Sequence, residues 1–474
     1  MEIDASSPTP TSQNTFFTRL KSIVFLSCIK RAIVDIAKKI KKTGEDDPRR
    51  ILHSFKVAFA ITLVSLVYYL EPFYHGMGDA GMWAIMTVIV VFEYTVGATL
   101  CKGMNRGFAT FLAGALGVAA EWFSDLFGPT VKPIVICFLV FIAVGIASFA
   151  RFIPSMKRRY DYGLLIFILT FSLIAVSGYR VEKLIEMAHQ RFSTIIFGGA
   201  TGIAVSMCVC PVWAGEDLHK LTVLNMEKLA SFLEGFGGEY YSISNEDDKS
   251  FLAAYKSVLN SKATEESLAN FAWWEIGHGK FLFRHPWKQY LKIGVYTRQC
   301  AHHIEALHGY LDTRLEVSSE FQKSIQEPCM KMSSEVGKAL KELALSMKRM
   351  VYPSTSATHI ENCKTAIEEF NTTLQASNME NWNIVETIPV IATISILIDI
   401  IKCVETISEA VEELSNQARF KKTKDITSDK KEKRPFLSGG AIKPVNDEQN
   451  DQESITVTIL SEEEIQQESK PDKK

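Results

Sequence analysis

The chain carries almost no net charge: 52 Lys and Arg face 54 Asp and Glu, leaving −2. Neither half is basic enough to make nucleic acid an expected partner. The nine cysteines contain no CxxC pair, which argues against a metal site and for free buried thiols in a reducing compartment, Cys101, Cys137, Cys208 and Cys210 lying in or beside apolar runs. A Gly-rich phosphate loop, a nucleophile elbow and a catalytic dyad are all missing, so neither an enzyme nor a cofactor is expected. No strand pattern is convincing, and no apolar core with a cleavage site follows the N-terminal cations, so no cleavable signal is read there.

What the chain does have is apolar length, concentrated in one half. Six runs, near 51–70, 82–99, 107–124, 133–150, 162–178 and 192–212, approach the roughly 20 residues that a membrane helix needs. One such run fits a soluble core; six in succession do not. Glycine and alanine recur in them (Gly97, Ala113, Gly117, Gly198, Gly202), as close helix contact requires. The expected fold is therefore an all-α membrane protein, six transmembrane helices followed by a helical cytosolic domain. The expected segments are 1–48, a cytosolic N-terminal segment; 49–214, the membrane domain; 215–420, the cytosolic domain; and 421–474, a charged tail without order.

Within 1–48, residues Phe16, Leu20, Ile23, Leu26, Ile29, Ile33, Ile36 and Ile40 share one helical face ringed by Lys and Arg. That pattern suits either a membrane surface or a helix packed on the cytosolic domain. Beyond Ala214 helices are expected at 217–236, 249–262, 287–316, 318–349, 358–376 and 384–419, with Pro353 and Pro389 as breaks or kinks. The apolar run from Ile388 to Ile401 is short for a span and contains Asp399, so a buried helix is expected.

Loop cations orient the spans. Lys102 and Arg106, together with Arg151, Lys157, Arg158 and Arg159, fall on the same side as the basic N-terminal segment, which puts both termini in the cytosol. Arg180, Lys183 and Arg191 break the rule by lying on the outer side. Lys102 and Arg106, four residues apart between apolar runs with Gly103 and Gly107 beside them, read as part of an anion path. Arg180 and Arg191 could line it further out, and Arg158 its inner mouth. The alternative for each is an interfacial cation reaching lipid phosphate, the preferred reading only for Arg158. Trp83, Phe92 and Tyr94 could narrow such a path or simply pack, and Glu93 is expected to pair with a cation.

The stretches WAIMTVIVVFEYTVGATLCKGMNRG (Trp83–Gly107), RRYDYG (Arg158–Gly163), AVSGYR (Ala175–Arg180) and CPVWAGEDLH (Cys210–His219) resemble the plant family of aluminium-activated malate transporters over roughly 45–420. The family's Trp-Glu-Pro signature appears as Trp274-Glu275-Ile276, with isoleucine in the proline's place, which loses a rigid turn residue. The resemblance implies a homodimeric anion channel passing malate, and often chloride or nitrate, in contact with membrane lipid at the plasma membrane or the vacuolar membrane. The short N-terminal extension favours the plasma membrane. Because a hard trivalent cation prefers carboxylate oxygen, Glu182 and Glu186 become candidates for an aluminium sensor, with salt bridges to Lys183 or nearby arginines as the alternative. His278, His285, His302, His303 and His308 lack metal-ligand spacing and are read as packing groups. Thr423, Thr427 and Ser428 offer weak phosphorylation patterns. An ion-coupled organic-acid exporter and a membrane-tethered scaffold remain as rival functions.

Overall fold

A computed structural model describes residues 30–31, 33–69, 81–178, 184–241, 252–282, 284–312, 320–376 and 384–422. Arg180, Glu182, the first half of the basic N-terminal helix and the whole tail, with Thr423, Thr427 and Ser428, lie outside them, as does the side chain of Glu186. The chain divides into an N-terminal unit through Thr62 and a main unit starting at Leu63.

In the N-terminal unit, helix α1 covers 30–46 apart from residue 32; α2, Pro48–Tyr69, starts in this unit and continues past Thr62 into the main one. Asp47 separates them. Its carboxylate accepts from the backbone N–H of Arg49 at 3.1 Å, and Pro48, lacking an N–H, takes the first helical position where none is needed.

In the main unit the helices follow as α3 (Met82–Val91), α4 (Val96–Asp125), α5 (Lys132–Ala150), α6 (Pro154–Gly178) and α7 (Leu184–Cys208). Four helices among the described residues, α4 to α7, are long and apolar enough to cross a membrane, and α3 is a shorter apolar helix. Their surface is inverted relative to a soluble protein. On α5, Ile134, Phe138, Phe141, Ile146 and Phe149 all point outward, each at least 61% exposed, which a lipid surround makes favourable. The packing order is α4 on α6 and α7, α3 on α7, and α5 on α6. At the α3–α7 crossing, a Cβ on Gly198 would stand 2.4 Å from the carbonyl oxygen of Ala84, so the two backbones meet where no other residue fits.

The boundaries differ from expectation where the cations are. The run expected over 82–99 breaks at Phe92, and α4 then continues without interruption through Lys102 and Arg106. Those two cations therefore stand in the second and third turns of one helix, not in a loop between two. Thr95 makes the break: its hydroxyl accepts from the backbone N–H of Ala98 at 3.2 Å and caps α4. α6 likewise starts at Pro154, so Lys157, Arg158 and Arg159 are helical.

The remaining helices are α8 (Ala214–Tyr241), α9 (Tyr255–Leu259), α10 (Lys262–Ala272), α11 (Trp287–Asp312), α12 (Glu320–Arg349), α13 (Ser356–Ala376) and α14 (Ile384–Gln417). They bury one apolar core around Leu218, Phe232, Ile304, Leu340 and Val404. Contrary to expectation, Gly237 and Gly238 do not end α8, whereas α14 spans Pro389 much as the expected 384–419 helix does. Leu397, Ile400 and Ile401 are buried in that core, in keeping with a packed helix over 388–401. Among the cysteines named above, Cys101 is buried, but Cys137, Cys208 and Cys210 are exposed, because they sit on or beside the outward faces of α5 and α7.

Candidate anion site and its link to the helical bundle

The i,i+4 spacing of Lys102 and Arg106 puts both on the face of α4 that meets α6, and one residue touches both. Tyr162 lies under Lys102, with Nζ 5.8 Å from the ring centroid, and its hydroxyl accepts from Nη1 of Arg106 at 3.3 Å. Next to them Asn105 donates to the carbonyl oxygen of Arg159 at 2.7 Å, tying the start of α6 to α4. The expected partner of Glu93 is Lys102, which donates to its carboxylate in a close ion pair. Thr99 holds the peptide after the break, accepting from the backbone N–H of Glu93 at 3.0 Å.

These contacts make the two cations unequal. Lys102 is neutralised by Glu93. Arg106 is 8% exposed, its single side-chain partner here is a neutral phenol, and its Nε is buried with no hydrogen-bond partner. A buried donor without a partner costs roughly 1–3 kcal/mol, and an anion would satisfy it. The glycines beside the pair also differ. Gly107 faces open space, whereas Gly103 is closed in by Ile203 and Val91.

The other candidates stand apart. The guanidinium of Arg191 lies over the ring of Trp83 at 4.5 Å, between α7 and α3. The neighbouring Phe192 packs on Phe111 of α4, ring centroids 5.5 Å apart. At 1.5 Å rise per residue, Phe111 stands about 7.5 Å further along α4 than Arg106, so Arg191 is set apart from it. Arg158 is exposed, and its carbonyl accepts from Asn270 at 2.9 Å. Arg159 stacks on Trp273 at 4.3 Å, so the start of α6 rests against the end of α10.

Glu275 forms a second constellation. Its carboxylate is buried and accepts from the backbone N–H groups of Gly97 at 3.2 Å, Ala214 at 2.6 Å and Gly215 at 3.0 Å. Those N–H groups are the unpaired first-turn donors of α4 and α8, where a negative charge is favoured. The approach is tight: a Cβ on Gly97 would lie 2.4 Å from the carbonyl oxygen of Phe271. Burial outweighs the three donors and pushes the Glu275 carboxyl up to about 7. Ile276, in the proline's place, is exposed and outside this clamp, so the loss of the rigid residue leaves it intact.

Nearby, His278 stacks on Trp213 at 3.9 Å. The Tyr290 hydroxyl lies between the ring nitrogens of His219 (2.9 Å) and His285 (3.3 Å). Burial lowers both imidazoles to about 4. His302 faces Glu305 at 3.6 Å on the surface, and His308 packs against Phe232 and Tyr255. Tyr162, Asn105 and the roles of Gly97, Ala214 and Gly215 as donors to Glu275 were not singled out from sequence. RRYDYG holds Tyr162, but only the folded pair of helices brings it to Arg106.

A profile described as aluminium activated malate transporter matches residues 41–384. Aluminum-activated malate transporter 2 of Arabidopsis thaliana is 43% identical over 435 residues, covering 90% of this chain and 85% of its own. Aluminum-activated malate transporter 7 of the same plant is 44% identical, covering 86% and 88%. Aluminum-activated malate transporter 1 of Triticum aestivum is 42% identical, covering 84% and 89%. With the apolar helices α4 to α7, these matches describe a multi-pass membrane transporter and not an enzyme: the chain belongs to the aluminium-activated malate transporter family.

Proposed function

We propose that this protein is a channel through which malate, and smaller anions such as chloride and nitrate, pass down their electrochemical gradient. The observation that carries the reading is Arg106: a buried guanidinium with a free Nε, beside open space at Gly107. A dianion gives up hydration only where fixed charge or oriented donors replace it. Guanidinium offers a planar fork for carboxylate. Lys102, partly cancelled by Glu93, adds a weaker attraction, and conduction requires that no site hold its ion too tightly.

In this reading α2 and α3 join α4 to α7 as six crossings with both termini in the cytosol, and α8–α14 form a cytosolic domain. Two copies assemble, repeating each cation around the path, with Arg191 and Arg180 towards the outside and Arg158 at the inner mouth. Glu182 and Glu186 sense external aluminium, and the plasma membrane is the site of action. A coupled exporter would need a carboxylate free to carry a proton or cation, and the strongest candidate, Glu93, is engaged by Lys102.

Patch-clamp recording in malate, nitrate and chloride tests the assignment. Arg106→Ala is expected to lower malate conductance several-fold and shift the reversal potential away from anion selectivity. Arg180→Ala and Arg191→Ala should lower conductance without abolishing it. Unchanged conductance and reversal potential in all these variants, at normal expression, would refute the pore assignment. Malate flux that stops when proton and sodium gradients are collapsed would refute the passive mechanism.

A further inference from the structure

Every described residue of helix α1 except Gly44 is exposed. Ile33, Ile36 and Ile40 recur at three and four residues, with Ala37 among them, so they form a single ridge. They are 60%, 58% and 68% exposed, and no described residue of the N-terminal unit covers them. Between 30 and 46 there are six cations and three acids. At 100° per residue, Lys30 and Lys41 border the ridge on one side and Lys39 on the other, while Arg31, Lys38 and Lys42 take the far face with Asp35. One residue, Asp47, separates α1 from α2, and the capped turn there leaves no slack.

We infer that α1 lies in the headgroup layer of an anionic lipid leaflet, at the side from which α2 enters the bilayer. The inference rests on the proposed crossing of α2. If α2 spans, its first turn is at the membrane surface, and a helix joined by one residue is held within reach of the headgroups. There the isoleucine ridge leaves water, and the bordering lysines extend their stems along it while their ammonium groups meet lipid phosphate and carboxylate. A zwitterionic surface offers the ridge its burial but gives the cations little attraction. Charge complementarity thus selects anionic lipid over a second protein chain, which would have to supply an acidic rim of matching length.

The test uses full-length protein in nanodiscs of phosphatidylcholine, with or without phosphatidylserine. The photo-crosslinking residue benzoylphenylalanine replaces Ile36, Lys42 or Phe59, the last being exposed on α2. Illumination followed by mass spectrometry should find lipid adducts at Ile36, increased about threefold or more by phosphatidylserine, with few at Lys42. The gain should vanish with Lys39→Glu and Lys41→Glu together. Adducts at Phe59 report the crossing of α2 independently. Lipid adducts at Phe59 but none at Ile36 would overturn the inference alone. Adducts from Ile36 to protein, either the same chain or a second copy, would do the same. Absence of lipid adducts at both positions would take down the crossing and the inference together.

Discussion

At the scale of single residues, the ion pair Lys102–Glu93 and the partnerless Nε of Arg106 divide one cationic pair into unequal halves. Lys102→Ala should therefore reduce malate current less than Arg106→Ala. Glu93→Gln, which frees the ammonium group, should raise anion conductance or lengthen anion dwell times, read from single-channel records. Tyr162→Phe removes the hydroxyl that Arg106 donates to, and with it about 1 kcal/mol of positioning. Conductance should fall in that variant while selectivity for anions over cations stays. The spacing of Lys102 and Arg106 was legible in the sequence because four residues is a helical repeat. Their inequality was not, because Glu93 and Tyr162 reach them only when α3, α4 and α6 pack.

At the scale of elements, α5 was readable to within one residue of each end: it is almost uniformly apolar and bounded by Lys132 and Arg151. The break before α4 was not, since Phe92 and Tyr94 continue the apolar run and only the Thr95 hydroxyl marks the new helix. Helix α10 was also missed, its pattern hidden by Glu265, whose buried carboxylate pairs with Arg298 and accepts from Ser261 at 2.8 Å and Asn225 at 3.2 Å. The tight crossings give a prediction at this scale. Gly97→Val and Gly198→Val each force a side chain against a carbonyl oxygen 2.4 Å from the new Cβ. Each should cost about 1–3 kcal/mol or more, seen as a lower melting temperature in detergent and less folded protein. A control with room for a side chain, Gly107→Ala, should leave stability nearly unchanged, since nothing stands within 4 Å of the new Cβ.

At the scale of the molecule, two sets of buried groups pull pH dependence in opposite directions. The folded-state value of Glu275, about 7, lies above its ordinary 4.5. The folded chain thus binds the extra proton, and this contribution to stability is lost as pH rises from about 4.5 through about 7. His219 and His285 have folded values near 4, below their ordinary 6.5. Their contribution is complete above about 6.5 and is lost as pH falls towards about 4. Two histidines against one carboxylate predict net destabilisation on acidification. Glu275→Gln, which cannot titrate, should make that acid loss steeper. Melting temperatures of wild type and variant across the interval decide this; parallel profiles would contradict the assignment. The sequence announced an apolar half and a polar helical half, but the joint between them depends on backbone N–H groups, which no side-chain pattern reports. One carboxylate grips the opening turn of α4 and the opening turn of α8 at once. A ligand or modification that tugs on the bundle therefore has a handle on the helix bearing Arg106, and two oxygen atoms of one side chain carry part of that load.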